Sequence, residues 1–479
     1  MINPRIHIIL ASLFLLIILA ACTEASATAT KPAIQLEPCY AGPAKAECGT
    51  LNVYENRDAQ TGRMIPLKIA VIRARNGQPS AGAIFWLSGG PGEAATRDDG
   101  NIQGLLPLLD ERDLVLVDQR GTGDSNMVVP PQTPDWSGLG PEELENAYAA
   151  WIKEVLPTLN ADPRFYTTSI AMDDLDEVRQ ALGYEEIDLI GGSYGATAAQ
   201  YYLRQHEDHI RSVVLISGSV GNLPIWEHQA ANAQQALDAI FSRCESNSKC
   251  NSDYPNIRSE FTALMERLKA EPVTIEVGDG TITLTNELLA AKVEDMTRDA
   301  SRVPSLLARI HDAYADDDWR AFGPAPYGDW SNTIMSYSIQ CNEAWAAFTP
   351  EETMRLGQGS YLLGWNLLRA YRFTLICKYL PPGVTPEGDS QQPGSKVPVL
   401  LFNGELDPID PPANIALARE IWPNSLALTL PGQGHSISDR EIWSCMLENI
   451  SKFLDQGSVE NLPTECLKNI HPPSYLVNP

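Results

Sequence analysis

Apolar positions along the chain fall into two interleaved patterns. Residues 83–87, 113–117, 187–190, 212–217, 397–403 and 425–430 form short, nearly continuous apolar runs of the kind that become strands buried on both faces. Between and after them, residues 141–156, 169–182, 412–421 and 439–454 carry apolar side chains at helical spacing. Residues 49–56 and 64–73, rich in β-branched side chains and separated by a polar turn, read as a leading hairpin. Buried strands alternating with helices predict an α/β fold with a mostly parallel sheet flanked by helices. The rhythm is lost from about Gly221 to about Gly394, where the pattern is mainly helical, and resumes at Lys396. The spacing therefore predicts one core in two parts, residues 36–220 and 395–479, interrupted by a large cap or lid at 221–394.

The N-terminus follows a different logic. Arg5 precedes an apolar run over residues 8–21 that suits a signal segment and is short for a membrane span. Leu19-Ala20-Ala21-Cys22 resembles the bacterial lipoprotein processing box, so residues 1–22 are expected to be removed or anchored as a signal and Cys22 to carry lipid. Residues 23–35, small and polar, suit a tether. This predicts export to the cell envelope, with membrane attachment through the lipid and the domain facing the periplasm or the exterior.

Cysteine usage fits the same compartment. Beyond Cys22, the other eight fall in close sequence couples: Cys39 with Cys48, Cys244 with Cys250, Cys341 with Cys377, and Cys445 with Cys466. In an exported chain such couples read as disulfides. No Cys-x-x-Cys or Cys/His knot is present, so no metal is expected. A net charge of -26 and the absence of a basic run argue against a nucleic-acid partner, which needs clustered Lys and Arg.

Candidate chemistry centres on Gly191-Gly192-Ser193-Tyr194-Gly195, set between an apolar strand and a helical run. That is the context of a nucleophile elbow, in which a serine on a tight strand-to-helix turn needs neighbours without side chains. Ser193 needs a base, and elimination among seven histidines is informative. His7 lies in the signal, His206 and His209 end the helix after the elbow, His228 and His311 fall in the cap, and His471 in the tail. His435 remains, on a glycine-rich loop just past a core strand. The orienting acid belongs on the loop after the preceding strand, where Asp407 is the candidate and Glu405 and Asp410 are rivals. For the oxyanion, the amide of Tyr194 and one from Gly90 or Gly89 in the turn 88–92 are the candidate donors. Asp118 and Arg120 read as structural, holding the loop beneath the site.

Together, Ser88-Gly89-Gly90-Pro91-Gly92, Asp118-Gln119-Arg120-Gly121, the elbow, Gly404-Glu405-Leu406-Asp407-Pro408 and Gly434-His435 resemble the α/β-hydrolases of the proline iminopeptidase and tripeptidyl aminopeptidase family. The resemblance implies an α/β-hydrolase fold and serine exopeptidase activity on peptides with a free N-terminus, without metal or cofactor. Ser88 departs from the histidine of the prolyl branch, which puts strict proline specificity in doubt. The resemblance to the tripeptidyl branch around Cys341-Asn342-Glu343 makes Glu343 the candidate holder of the substrate ammonium. An ester or lactone hydrolase using the same triad, or a non-catalytic binding lipoprotein, are the alternatives.

Overall fold

In the computed structural model, residues 34–470 are described except 78, 80, 130–140, 222, 224, 278–279, 324–333, 344–347 and 387–393. The signal segment with Cys22, most of the tether, and His471 lie outside the described residues. Among those described, no helix is long and apolar enough to cross a membrane.

Nine strands form one sheet: β1 (Glu37–Ala41), β2 (Ala44–Tyr54), β3 (Met64–Ile72), β4 (Ala83–Leu87), β5 (Asp113–Val117), β6 (Ile187–Gly192), β7 (Ile210–Ile216), β10 (Val399–Gly404) and β11 (Ser425–Leu430). A separate hairpin, β8 (Val273–Val277) and β9 (Gly280–Leu284), lies between β7 and β10 in sequence. The order in the large sheet is β1-β2-β3-β5-β4-β6-β7-β10-β11. Strands β1, β2, β3 and β5 pair antiparallel, and every contact from β5 through β4, β6, β7 and β10 to β11 is parallel. Most of the apolar runs are central strands, and every residue of β4, β5 and β10 is buried, as two covered faces require; β11 instead ends the sheet, with Ala427 and Thr429 exposed.

Helices Thr168–Leu182 and Tyr194–Gln205 pack on one another, the latter against β4, β6 and β7. Helix Arg440–Gln456 packs on strand residues such as Ile84, Leu116, Val214 and Phe402. Its start is set by Asp439, whose side chain accepts from the Glu441 and Ile442 amides, and Gly457 ends it at φ 60°. Ile442, Met446, Ile450 and Phe453 follow at helical spacing and are fully buried. Each such side chain contributes roughly 1.5–3 kcal/mol by leaving water.

Between β7 and β10 the chain is mainly helical, from Ile225–Ser246 through Asn286–Thr297 to Leu363–Tyr379. It has its own apolar cluster, including Phe241, Leu289, Leu306 and Trp319, which Leu406 joins from the loop after β10. Disulfides link Cys39–Cys48, Cys244–Cys250, Cys341–Cys377 and Cys445–Cys466.

Three elements differ from the sequence pattern. The leading hairpin gains a third strand, β1, paired along β2. Asp99–Leu105 is a helix. The helix expected over residues 412–421 breaks into a 3-10 turn, Pro412–Ile415, and a single helical turn, Ala418–Ile421. Pro411 and Pro412 remove two donors at its start, and a segment this short lacks the apolar face that stabilises a continuous helix.

Beneath the sheet's carboxyl edge, fully buried Arg120 forms a two-pronged ion pair with Asp174 at 2.6 and 2.8 Å and donates to the carbonyls of Glu55 and Phe165. Replacing one partner of a buried pair leaves the other charge less compensated, here Asp174 with its second pair, Arg57 at 2.7 Å. Arg120→Met should therefore destabilise the fold by about 3–5 kcal/mol, read as a lower urea midpoint with an unchanged slope.

Candidate active site

Parallel strands deliver their loops to one edge of the sheet, and the site is built there. Strand β6 is held by β4 on one side and β7 on the other, with Leu87 opposite Gly191 and Ile216 opposite Gly192. The chain then turns at Ser193, which has φ 53° and ψ -121°, and enters helix Tyr194–Gln205 at once. A positive φ on serine costs of order 1–3 kcal/mol and persists only where the surroundings impose it. Here the Ser193 amide donates to the Ile216 carbonyl at 2.9 Å, and the glycines make the turn sterically possible. A Cβ on Gly191 would run into the Gly195 carbonyl, and one on Gly195 into the Leu87 carbonyl.

The loops after β10 and β11 bring two more side chains to the same point. His435 Nε2 lies 2.9 Å from Ser193 Oγ, and His435 Nδ1 lies 2.9 Å from Asp407 Oδ2. The other oxygen of Asp407 accepts the amides of Ile409 and Asp410 at 2.8 and 2.9 Å, which fixes the carboxylate. The two loops are packed backbone to backbone: Leu406 N donates to Gln433 O, and a Cβ on Gly404 would strike the Gly434 carbonyl. The helical segment braces them from above, with Ser436 N donating to Arg298 O at 2.7 Å.

The rival acids fall elsewhere. Glu405 pairs with Arg243 at 2.6 Å and accepts the Gly432 amide. Asp410 hydrogen-bonds Ser219, with its Oδ2 3.9 Å from His435 Nδ1. Burial, reinforced by the Asp407 charge, pushes the Asp410 carboxyl up to about 7. Burial alone would lower the His435 imidazole, but Asp407, with Asp410 behind it, outweighs this and raises it above 6.5.

Ser193 and His435 open onto a cavity of about 1130 Å³ lined also by Gly89, Gly90 and Tyr194. The Tyr194 amide is the first of its helix, where the backbone dipoles favour negative charge. The Gly89 amide faces the Glu93 carboxylate. Glu343 is not part of the cavity lining. Both its oxygens are engaged by Thr168, from the amide at 2.7 Å and the hydroxyl at 2.6 Å, so it caps helix Thr168–Leu182. Thr168 Oγ1 in turn bonds the Tyr194 hydroxyl at 2.8 Å. Asp118 accepts the Thr96 and Asp124 amides, tying the loop after β5 beneath the glycine-rich turn.

Two cavity residues were not visible as site residues in the sequence. Glu93 follows the turn 88–92 directly, and an acid in that place is the one local signal for it. Arg298, beside His435, is tied to Glu294 at 2.8 Å. It comes from the helical segment, and no local pattern marks it. The lining carries six carboxylates, Glu93, Asp98, Asp295, Asp299, Asp410 and Asp439, against three arginines.

A family model described as alpha/beta hydrolase fold matches residues 83–441. The serine protease Hip1 of Mycobacterium tuberculosis is 27% identical over 228 residues, covering 43% of this chain and 43% of that protein. The proline iminopeptidase of Heyndrickxia coagulans is 27% identical over 205 residues, covering 40% of this chain and 56% of that protein. The tripeptidyl aminopeptidase of Streptomyces lividans is 27% identical over 225 residues, covering 40% of each. The chain thus spans about half the length of the curated relatives it matches.

The carboxylates behind His435 favour its charged form. In an NMR titration its imidazole should change protonation above pH 6.5, and Asp407→Asn should move that midpoint downward.

Proposed function

The chain belongs to the alpha/beta hydrolase fold family, and from that footing we propose that it is a serine exopeptidase acting on peptides with a free N-terminus. The observation that carries this reading is the unbroken relay from Ser193 through His435 to Asp407, two contacts of 2.9 Å each. In this reading, His435 Nε2 takes the Ser193 proton as Oγ attacks the scissile carbonyl. Asp407 holds the imidazole in the productive orientation and stabilises its charged form. The amides of Tyr194 and Gly90 receive the oxyanion. His435 then hands the proton to the leaving amine, and a water activated by the same imidazole releases the acyl group from Ser193.

The excess of carboxylates around the cavity supports a cationic ligand, as a free peptide amine is. In the same reading, residues 36–220 and 395–479 are the catalytic core, and 221–394 is a cap whose Trp226, Asp295 and Arg298 complete the cavity wall. Four disulfides accord with an exported enzyme, and Cys22 is proposed as the lipidated residue that anchors it.

The test is hydrolysis of aminoacyl and peptidyl arylamides with free and acetylated N-termini. Free-amine substrates should turn over and acetylated ones should not, and Ser193→Ala should lose about 10⁶-fold in kcat. Turnover confined to simple esters would assign the same relay to an esterase.

A further inference from the structure

Glu93 occupies an unusual place. Its carboxylate faces the amide of Gly89, in the turn that faces the nucleophile. A Cβ placed on Gly89 would lie 3.2 Å from Glu93 Oε2 and 3.3 Å from Ser193 Cβ, so the carboxylate and the serine close on the same side of Gly89. Both line the cavity. Its neighbour Asp98 is already engaged, accepting from Trp86 Nε1, Ser88 Oγ and Asn101.

For a neutral substrate this arrangement is unfavourable. The oxyanion that forms on attack by Ser193 would develop close to a carboxylate in a partly dehydrated site, where like charges repel strongly. A substrate cation between the two removes the repulsion. The α-ammonium of a peptide's first residue is the group that chemistry supplies there, two bonds from the carbonyl under attack. The amine of a tripeptidyl acyl group lies two residues farther along, about 7 Å in extended chain, away from the carbonyl that Glu93 neighbours.

We propose that Glu93 receives the α-ammonium of the substrate's first residue, and that this confines the enzyme to releasing one residue per cycle. The inference rests on the exopeptidase reading and deepens it. The groups facing Glu93 are Asp98, His435 and the Gly89 amide. Burial and Asp98 raise the carboxyl above its usual range, while His435 and the amide oppose that rise. An incoming ammonium would draw the carboxyl fully into its charged form.

The test uses Glu93→Gln, which keeps an acceptor for Gly89 and removes the charge. The substrates are alanine p-nitroanilide, trialanine p-nitroanilide and p-nitrophenyl acetate. Relative to wild type, kcat/KM for alanine p-nitroanilide should fall on the order of 100-fold, as loss of one partner of a desolvated charge pair does. Hydrolysis of p-nitrophenyl acetate should stay within about twofold or rise, since repulsion of the oxyanion is relieved. Wild type should release alanine, and not trialanine, from the longer substrate, as read by mass spectrometry. Equal losses on amide and ester would mean that Glu93 acts through the His435 imidazolium or the fold, and would overturn the proposal. An unchanged amide rate would also overturn it while leaving the exopeptidase reading intact. Wild-type turnover of the ester alone would instead overturn that reading, and this inference with it. Should Glu93→Gln fail to fold, wild-type product analysis decides, because release of intact trialanine is incompatible with the proposal.

Discussion

The structure depends on holding one serine in a backbone conformation that serine avoids. Ser193 at φ 53° is stable only because β6 is gripped on both sides by parallel neighbours and its amide is tied to Ile216. The strain has a chemical use. It lifts Oγ clear of the sheet edge, where loops from β10 and β11 can reach it. Those loops cannot relax away, since Gly404 and Gly434 are in backbone contact and the Arg298 carbonyl holds Ser436. Geometry that a flexible surface loop would lose is set here by three parallel strands in register.

Electrostatics is arranged around that fixed point in two tiers. Behind His435, Asp407 is held as an acceptor by two amides, while Asp410 hydrogen-bonds Ser219 and borders the cavity. Two buried carboxyls so close cannot both ionise freely. Burial, with the neighbouring Asp407 charge, raises the Asp410 carboxyl. In front of Ser193, acidic side chains outnumber arginines on the cavity wall, which sets the sign of the ligand that this space favours.

Much of this was legible in the chain because strand ends are local signals. The buried apolar runs placed β4, β5, β6, β10 and β11 within a residue or two, and the loops that follow them hold Ser193, Asp407 and His435. Weak elements escaped: β1 is short and largely exposed, and helix Asp99–Leu105 contains Gly100 and Gly104, which contribute little helix propensity. The helical segment between β7 and β10 was the real limit. Which acid faces the cavity depends on how distant segments pack, so a motif-based choice led to Glu343, whose oxygens the structure spends on capping a helix. Arg298 reaches the site through tertiary packing, which no short window of sequence encodes, whereas Glu93 follows the glycine-rich turn directly.

The strand order also has a temporal meaning. Ser193 is synthesised early, whereas β10 and β11, which carry Asp407 and His435, come more than two hundred residues later and must dock beside β7, as the pairing of Val399 with Val213 requires. Until those last strands emerge and pair, the serine has no base and the cavity no floor. A chain that has not yet presented β10 and β11 therefore holds an inert nucleophile, and the relay closes only once both strands have paired.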